Sequence, residues 1–141
     1  MTPQQQPTRT AEVRPLTGNV SHKAGLTSER LADQTVITLS GDLDAASTTP
    51  LRERLYVALR DAGAYVIIDL AGVTRCDESG LAMLAGARRR TEAKGGTMVL
   101  AAPRPRMEGL LRATGLLRVF TVRSSVAAAR TAGPGARSAA A

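Results

Sequence analysis

Apolar and polar positions along the chain fall into two alternating kinds of pattern. QTVITLSG (34–41) alternates apolar with polar residues and is rich in β-branched side chains, which predicts a half-buried strand ended by Gly41. A weaker strand pattern precedes it at about 25–32. In STTPLRERLYVALRDAG, Leu51, Leu55, Ala58, Leu59 and Ala62 share one helical face; Thr49 is the expected cap, Pro50 the first helical residue and Gly63 the stop. AYVIIDLAG (64–72) is apolar without alternation, as in a strand covered on both faces. A second helix is expected from Ser79 to about Lys94, with Leu81, Leu84, Ala85 and the stem of Arg88 facing inward and Gly95-Gly96 closing it. A strand at 97–102, a short helix at 105–115, a strand at 118–122 and a terminal helix at 124–130 complete the series. Strand and helix in regular turn give an α/β class: one domain with a mixed, mostly parallel sheet flanked by about four helices.

The 141 residues, 43% of them hydrophobic, suit one core and not two. With one Phe, two Tyr and no Trp, that core is aliphatic. Residues 1–24 and 131–141 hold little to bury and read as disordered tails around a domain at 25–130. The net charge of +7 belongs largely to the ends: residues 31–123 carry thirteen basic and ten acidic side chains. Nucleic acid is therefore not the expected partner, and stacking aromatics are missing as well. Cys76 is the sole cysteine, which excludes an internal disulfide and fits a cytoplasmic location. No apolar leader or membrane span is visible, and neither a metal nor a cofactor is expected.

Loops that leave strand C-terminal ends collect on one edge of such a sheet. Three carry the polar chemistry: GDLD with Asp42 and Asp44, AGVTRCDES with Asp77, Glu78 and Ser79, and APRPR with Arg104 and Arg106. Four acids thus gather at one rim of a basic protein. Ser79 stands at a helix start, where its hydroxyl is expected to cap. Capping leaves Asp77 and Glu78 unexplained, since one acid already satisfies the helix dipole. Asp69 is expected to bond loop amides, Arg104 and Arg106 to form a solvated loop, and Arg88-Arg89-Arg90 to form an exposed face. Met83 has two open readings, core or partner contact.

VITLSGDLD, VIIDLAGVTRCDESGLAML and GGTMVLAAPRPRMEGLLRATGLLRVF together resemble the STAS domain of bacterial anti-sigma factor antagonists, in order and in spacing, over about residues 25–130. The resemblance implies a non-catalytic binding module in transcription regulation by partner switching. Its partner would be an anti-sigma factor that is a serine kinase of the histidine-kinase-like ATPase fold, and binding it would release a sigma factor. A serine phosphatase would be a further regulator. In the family's Asp-Ser-Ser-Gly-Leu motif the second serine is phosphorylated; it matches Ser79, the aspartate matches Asp77, and Glu78 replaces the first serine. The strand-two aspartate matches Asp44. Asp44, Asp77, Glu78, Ser79, Gly80 and Met83 are the expected partner contacts. Glu78 beside the phosphoacceptor could weaken the kinase's approach, imitate part of the phosphorylated state, or do little. The alternative within the same fold is a scaffold module of a stress-signalling or lipid-transport complex without a phosphoswitch.

Two other classes fit less well. A hydrolase would need a glycine two residues before Ser79 and a nearby histidine; Asp77 stands there, and His22, the sole histidine, lies in the expected tail. A phospho-aspartate receiver would use Asp69 with an acidic pair and a later lysine, but Leu43 separates Asp42 from Asp44 and no lysine follows Lys94.

Overall fold

The computed structural model describes residues 24–133. Of the two expected tails, residues 1–23 and 134–141 lie outside the described residues, while Thr131 and Ala132, placed in the second tail, belong to the last helix. Five strands and four helices follow in the order β1 (Gly25–Leu31), β2 (Gln34–Leu43), α1 (Ala45–Arg60), β3 (Tyr65–Cys76), α2 (Glu78–Ala93), β4 (Thr97–Ala101), α3 (Pro105–Ala113), β5 (Thr121–Arg123) and α4 (Val126–Ala132). A single 3₁₀ turn, Leu116–Arg118, separates α3 from β5. Strand order in the sheet follows the chain from β1 to β5. The β1–β2 pair is antiparallel and the other three pairs are parallel.

Aliphatic burial organises both faces of the sheet. On one, Ile37, Leu39 and Leu43 of β2 and Val66, Ile68 and Leu70 of β3 pack against Leu51, Leu55 and Leu59 of α1, Leu81, Met83 and Leu84 of α2, and Met107 and Leu111 of α3. On the other, Val36, Tyr65, Ile67, Val99 and Ala101 meet Ala129 of the short α4. The Tyr65 hydroxyl donates to the Ala129 carbonyl at 2.7 Å, so the one polar atom of a buried ring is satisfied by the helix that covers it.

Several boundaries differ from those expected. Helix α1 starts at Ala45, not Pro50, because Asp44 and Ser47 form a reciprocal capping box: Ser47 N–H donates to Asp44 Oδ1 at 3.0 Å, and Asp44 N–H donates to Ser47 Oγ at 3.0 Å. Thr49 is consequently not a cap, and Pro50 lies inside the helix. β3 extends to Cys76 rather than stopping at Gly72. It absorbs extra residues where its register against β2 shifts, between Thr38/Ser40 and between Gly41/Asp42. The last strand starts at Thr121 because Phe120 turns into the core. The Arg88 side chain is partly buried, with its guanidinium paired to Glu92 at 3.0 Å, while exposed Arg90 stacks over Tyr56 with its guanidinium 3.8 Å from the ring centre.

Candidate functional site

β2 and β3 run parallel and end in register, Leu43 opposite Cys76. The next residue on each strand is an aspartate, and each becomes the cap of the helix that follows. Asp44 caps α1 and Asp77 caps α2, where the Asp77 carboxylate accepts from Ser79 N–H at 2.8 Å. Asp77 N–H donates to the Leu43 carbonyl at 3.1 Å, stitching the start of α2 to the end of β2. The hydrogen bond from the Ser47 amide holds the Asp44 carboxyl below its ordinary range, with Arg75 adding a smaller electrostatic pull.

The cap of α2 is therefore Asp77 and not Ser79. Ser79 occupies the second helical position and is half-buried. Its amide is used by Asp77, and among the described residues no group takes up its hydroxyl in a hydrogen bond. Asp44, Asp77 and Glu78 are exposed beside it. Asp42, the fourth expected rim acid, turns back into the sheet, where Thr74 Oγ donates to its carboxylate at 2.6 Å. The rim thus keeps three solvent-facing carboxylates.

Gly80 and Met83 are not surface contacts. Met83 is fully buried, projecting with Leu84 and Ala87 into the core between α2 and the sheet. Gly80 is buried where α2 crosses the strand ends: a Cβ there would lie 2.6 Å from Cys76 Sγ and 2.8 Å from Leu43 Cβ. Glycine at position 80 permits the close approach of α2 to the strand ends that places Ser79 at the rim. Exposed Ala82, one turn beyond Ser79, and exposed Ala45 and Ala46 on α1 supply the flat apolar ground around the serine instead. These alanines carried no chemical signal; only their placement on two adjacent helix starts marks them.

Cys76 packs under this corner. Burial, and then the negative charge of Asp77, push its thiol up to about 12. Asp69 accepts from Ala71 N–H at 3.0 Å and sits in the body of β3, well short of the strand's end. A phospho-aspartate receiver reading loses its geometry accordingly. Arg104 is not a free loop cation: its Nε donates to the Ala71 carbonyl at 2.8 Å. Arg106 is exposed. Among the described residues no cluster of three or more His, Cys, Asp or Glu comes together to hold a metal, and no helix is long and apolar enough to cross a membrane.

A family profile described as STAS domain matches residues 26–129. The chain belongs to the STAS-domain family. Among solved structures, this STAS domain is similar to an anti-sigma factor antagonist from Mycobacterium paratuberculosis, with a TM-score of 0.71 at 23% identity over 78% of this chain and 93% of that one. It is also similar to the Bacillus cell fate determinant SpoIIAA in its phosphorylated form, with a TM-score of 0.54 at 25% identity over 70% of this chain and 90% of that one. A murine Slc26a9 anion transporter contains a similar unit, with a TM-score of 0.65 at 15% identity over 78% of this chain but only 22% of the transporter. The similar unit thus makes up most of the first two chains and a small part of the transporter. The site on the present domain has to decide between such uses.

Proposed function

We propose that this STAS domain is an anti-sigma factor antagonist: it binds an anti-sigma factor that is also a serine kinase, frees a sigma factor for transcription, and is switched off by phosphorylation of Ser79. The observation that carries the reading is the division of labour at the start of α2. Asp77 does the capping, which leaves the Ser79 hydroxyl half-exposed and uncommitted on a helix whose first turn is already anionic. A serine needed only for the helix would use its oxygen as the cap. Likeness to the anti-sigma factor antagonist SpoIIAA, whose structure is known in a phosphorylated form, points the same way.

The physics of the switch follows from charge. Phosphorylation adds about −1.5 to −2 charge to Ser79. A bare helix N-terminus would welcome it, but here the Ser79 amide already serves Asp77, Glu78 adjoins the serine, and Asp44 caps the neighbouring helix start. Pressing the dianion against a docked protein leaves it desolvated among like charges, which is expected to lower affinity about a hundredfold or more. Exposed Asp44, Asp77 and Glu78 would receive basic groups of the unmodified complex. Cells would restore binding with a serine phosphatase, in a bacterial cytoplasm.

Incubation with a candidate anti-sigma kinase and ATP, followed by mass-spectrometric localisation, tests the reading. One phosphate on Ser79 is expected. The Ser79→Ala variant is expected to bind without regulation and Ser79→Asp to bind more weakly; equal affinities for the two would contradict the charge mechanism. Stable binding with no phosphate transferred would favour a scaffold role for the same surface.

A further inference from the structure

β3 is longer than the neighbour that should cover it. Its pairing with β4 ends at Asp69 opposite Ala101, whereas β3 continues through Leu70 to Cys76 with β2 on its other side. The chain leaves the sheet after Ala101 through Ala102, which adopts φ 56, and rises into α3. An overhanging strand edge is left open on the β4 side, the arrangement from which extended segments are recruited as added strands. Arg104 takes up the first overhanging carbonyl, Ala71, through its Nε. Beyond that point a cavity of about 390 Å³ separates the overhang from the start of α3.

Its walls combine two characters. Val73, Met107 and Leu110 give an apolar floor, and Arg75, Arg104 and Arg106 give a basic rim with no acidic side chain in the lining. The first turn of α3 adds its positive end, since Arg104 at the cap position makes no side-chain capping bond. Arg104 and Arg106 thus gather at the start of α3, whose first turn also carries Glu108, and Arg75 stands between them and the Asp44 rim, close enough to act on that carboxylate.

We infer that the overhanging edge of β3 and the arginine-rimmed groove beside it form a docking site for an extended acidic segment of a partner protein, which adds as a short strand against Val73–Cys76. At about 3.3 Å per residue, four residues of such a segment would span about 13 Å along the edge. Alternating side chains would seat apolar groups on Val73, Met107 and Leu110 and present carboxylates to the arginines. Charge argues against the other occupants. The chain's own ends are basic, with Arg9, Arg14 and Lys23 against Glu12 at one end and Arg137 without an acid at the other. A second copy pairing edge to edge would set Arg75, Arg104 and Arg106 against their equivalents. The inference does not rest on phosphorylation of Ser79.

The test uses the full chain and a capped peptide of about five residues alternating glutamate and valine, titrated while backbone amide shifts are followed by NMR. Shifts confined to the overhang and the start of α3 are expected. Methylating alternate peptide nitrogens keeps the charge but removes the strand hydrogen bonds, and is expected to weaken binding at least about tenfold. Exchanging glutamate for lysine is expected to abolish it. Arg106→Glu, at an exposed side chain, is expected to leave the melting temperature unchanged and to weaken binding about tenfold. The inference is overturned by an absence of shifts at millimolar peptide, by equal binding of the methylated peptide, by unchanged affinity of Arg106→Glu, or by inorganic tripolyphosphate shifting the same amides with equal affinity, which would make the groove a small-anion site.

Discussion

Replacing Gly80 by alanine tests the construction of the site most directly. Helix propensity alone favours alanine by about 1 kcal/mol. Against it stand three neighbours of the new Cβ: Cys76 Sγ at 2.6 Å, Leu43 Cβ at 2.8 Å and the Leu43 carbonyl oxygen at 3.1 Å. A rotation of the Cys76 side chain could clear the first. Leu43 cannot yield as easily, because it is fully buried, paired in the sheet with Cys76, and bonded through its carbonyl to Asp77 N–H. The start of α2 must therefore lift away from the strand ends. Overpacking costs about 1–3 kcal/mol, and two contacts under 3 Å place this case in the upper part of that range, about 2–3 kcal/mol, so a net loss of roughly 1–2 kcal/mol remains after the propensity gain. For a domain of this size that is a fall in melting temperature of about 5–10 °C. Gly109→Ala in α3 is the matched control: no heavy atom lies within 4 Å of its new Cβ, so it is expected to hold or raise stability. Thermal unfolding followed by circular dichroism reads both. If Gly80→Ala melts at or above the wild-type temperature, the close approach of α2 to β2 does not require glycine and the reasoning fails.

Three smaller predictions concern the same corner. Asp77→Ala removes the α2 cap and is expected to cost about 1 kcal/mol, with faster hydrogen exchange in the first turn of α2 and little change in α1. Cys76 is expected to alkylate far more slowly in the folded chain than in denaturant at pH 8, because its thiol is held up to about 12. Since the folded group keeps its proton after the unfolded one has lost it, stability should fall as pH rises past the ordinary thiol value near 9. Cys76→Ser should flatten that fall, and identical alkaline profiles for the two proteins would refute the assignment.

The kind and order of the elements were legible because the core is aliphatic and continuous: Val66 to Ile68 can only be a doubly covered strand, and Leu51, Leu55 and Leu59 only a helical face. Boundaries failed where local chemistry outweighed the conspicuous residue. Pro50 suggested a helix start, yet the quieter pair Asp44 and Ser47 satisfied the orphan amides six residues earlier in the chain than the proline. The far half of β3 was lost because Ala71 and Gly72 interrupt its apolar run, and a bulge has no signature distinct from a loop. At the site, Asp44, Asp77, Glu78 and Ser79 lie at the starts of two adjacent helices, whereas Gly80 and Met83, expected as partner contacts, are buried, and Ser79 is not the cap. Asp77 precedes Ser79 and reaches its amide first, so the serine is left over. Met83 belongs to the stripe Gly80, Met83, Leu84 and Ala87, and that helical spacing carried the answer that it faces inward.

The register that pairs Leu43 with Cys76 has a consequence for how the proposed switch can work. It delivers two aspartates side by side and fixes both as caps, so α1 and α2 are each anchored to the sheet at the end that faces a partner. Gly80 wedges α2 further onto Leu43. A phosphate on Ser79 meets no yielding element through which to move a helix; what it can change is the potential of the surface. In physiological salt that potential fades over about 8 Å, so it acts only on a protein already pressed against Ala82, Ala45 and the three carboxylates. The arginine groove on the far side of β3 keeps its sign either way. A partner that engages both halves would lose the first contact on phosphorylation and retain the second, and the measured affinity loss would then be smaller for the intact partner than for a fragment confined to the α1–α2 rim.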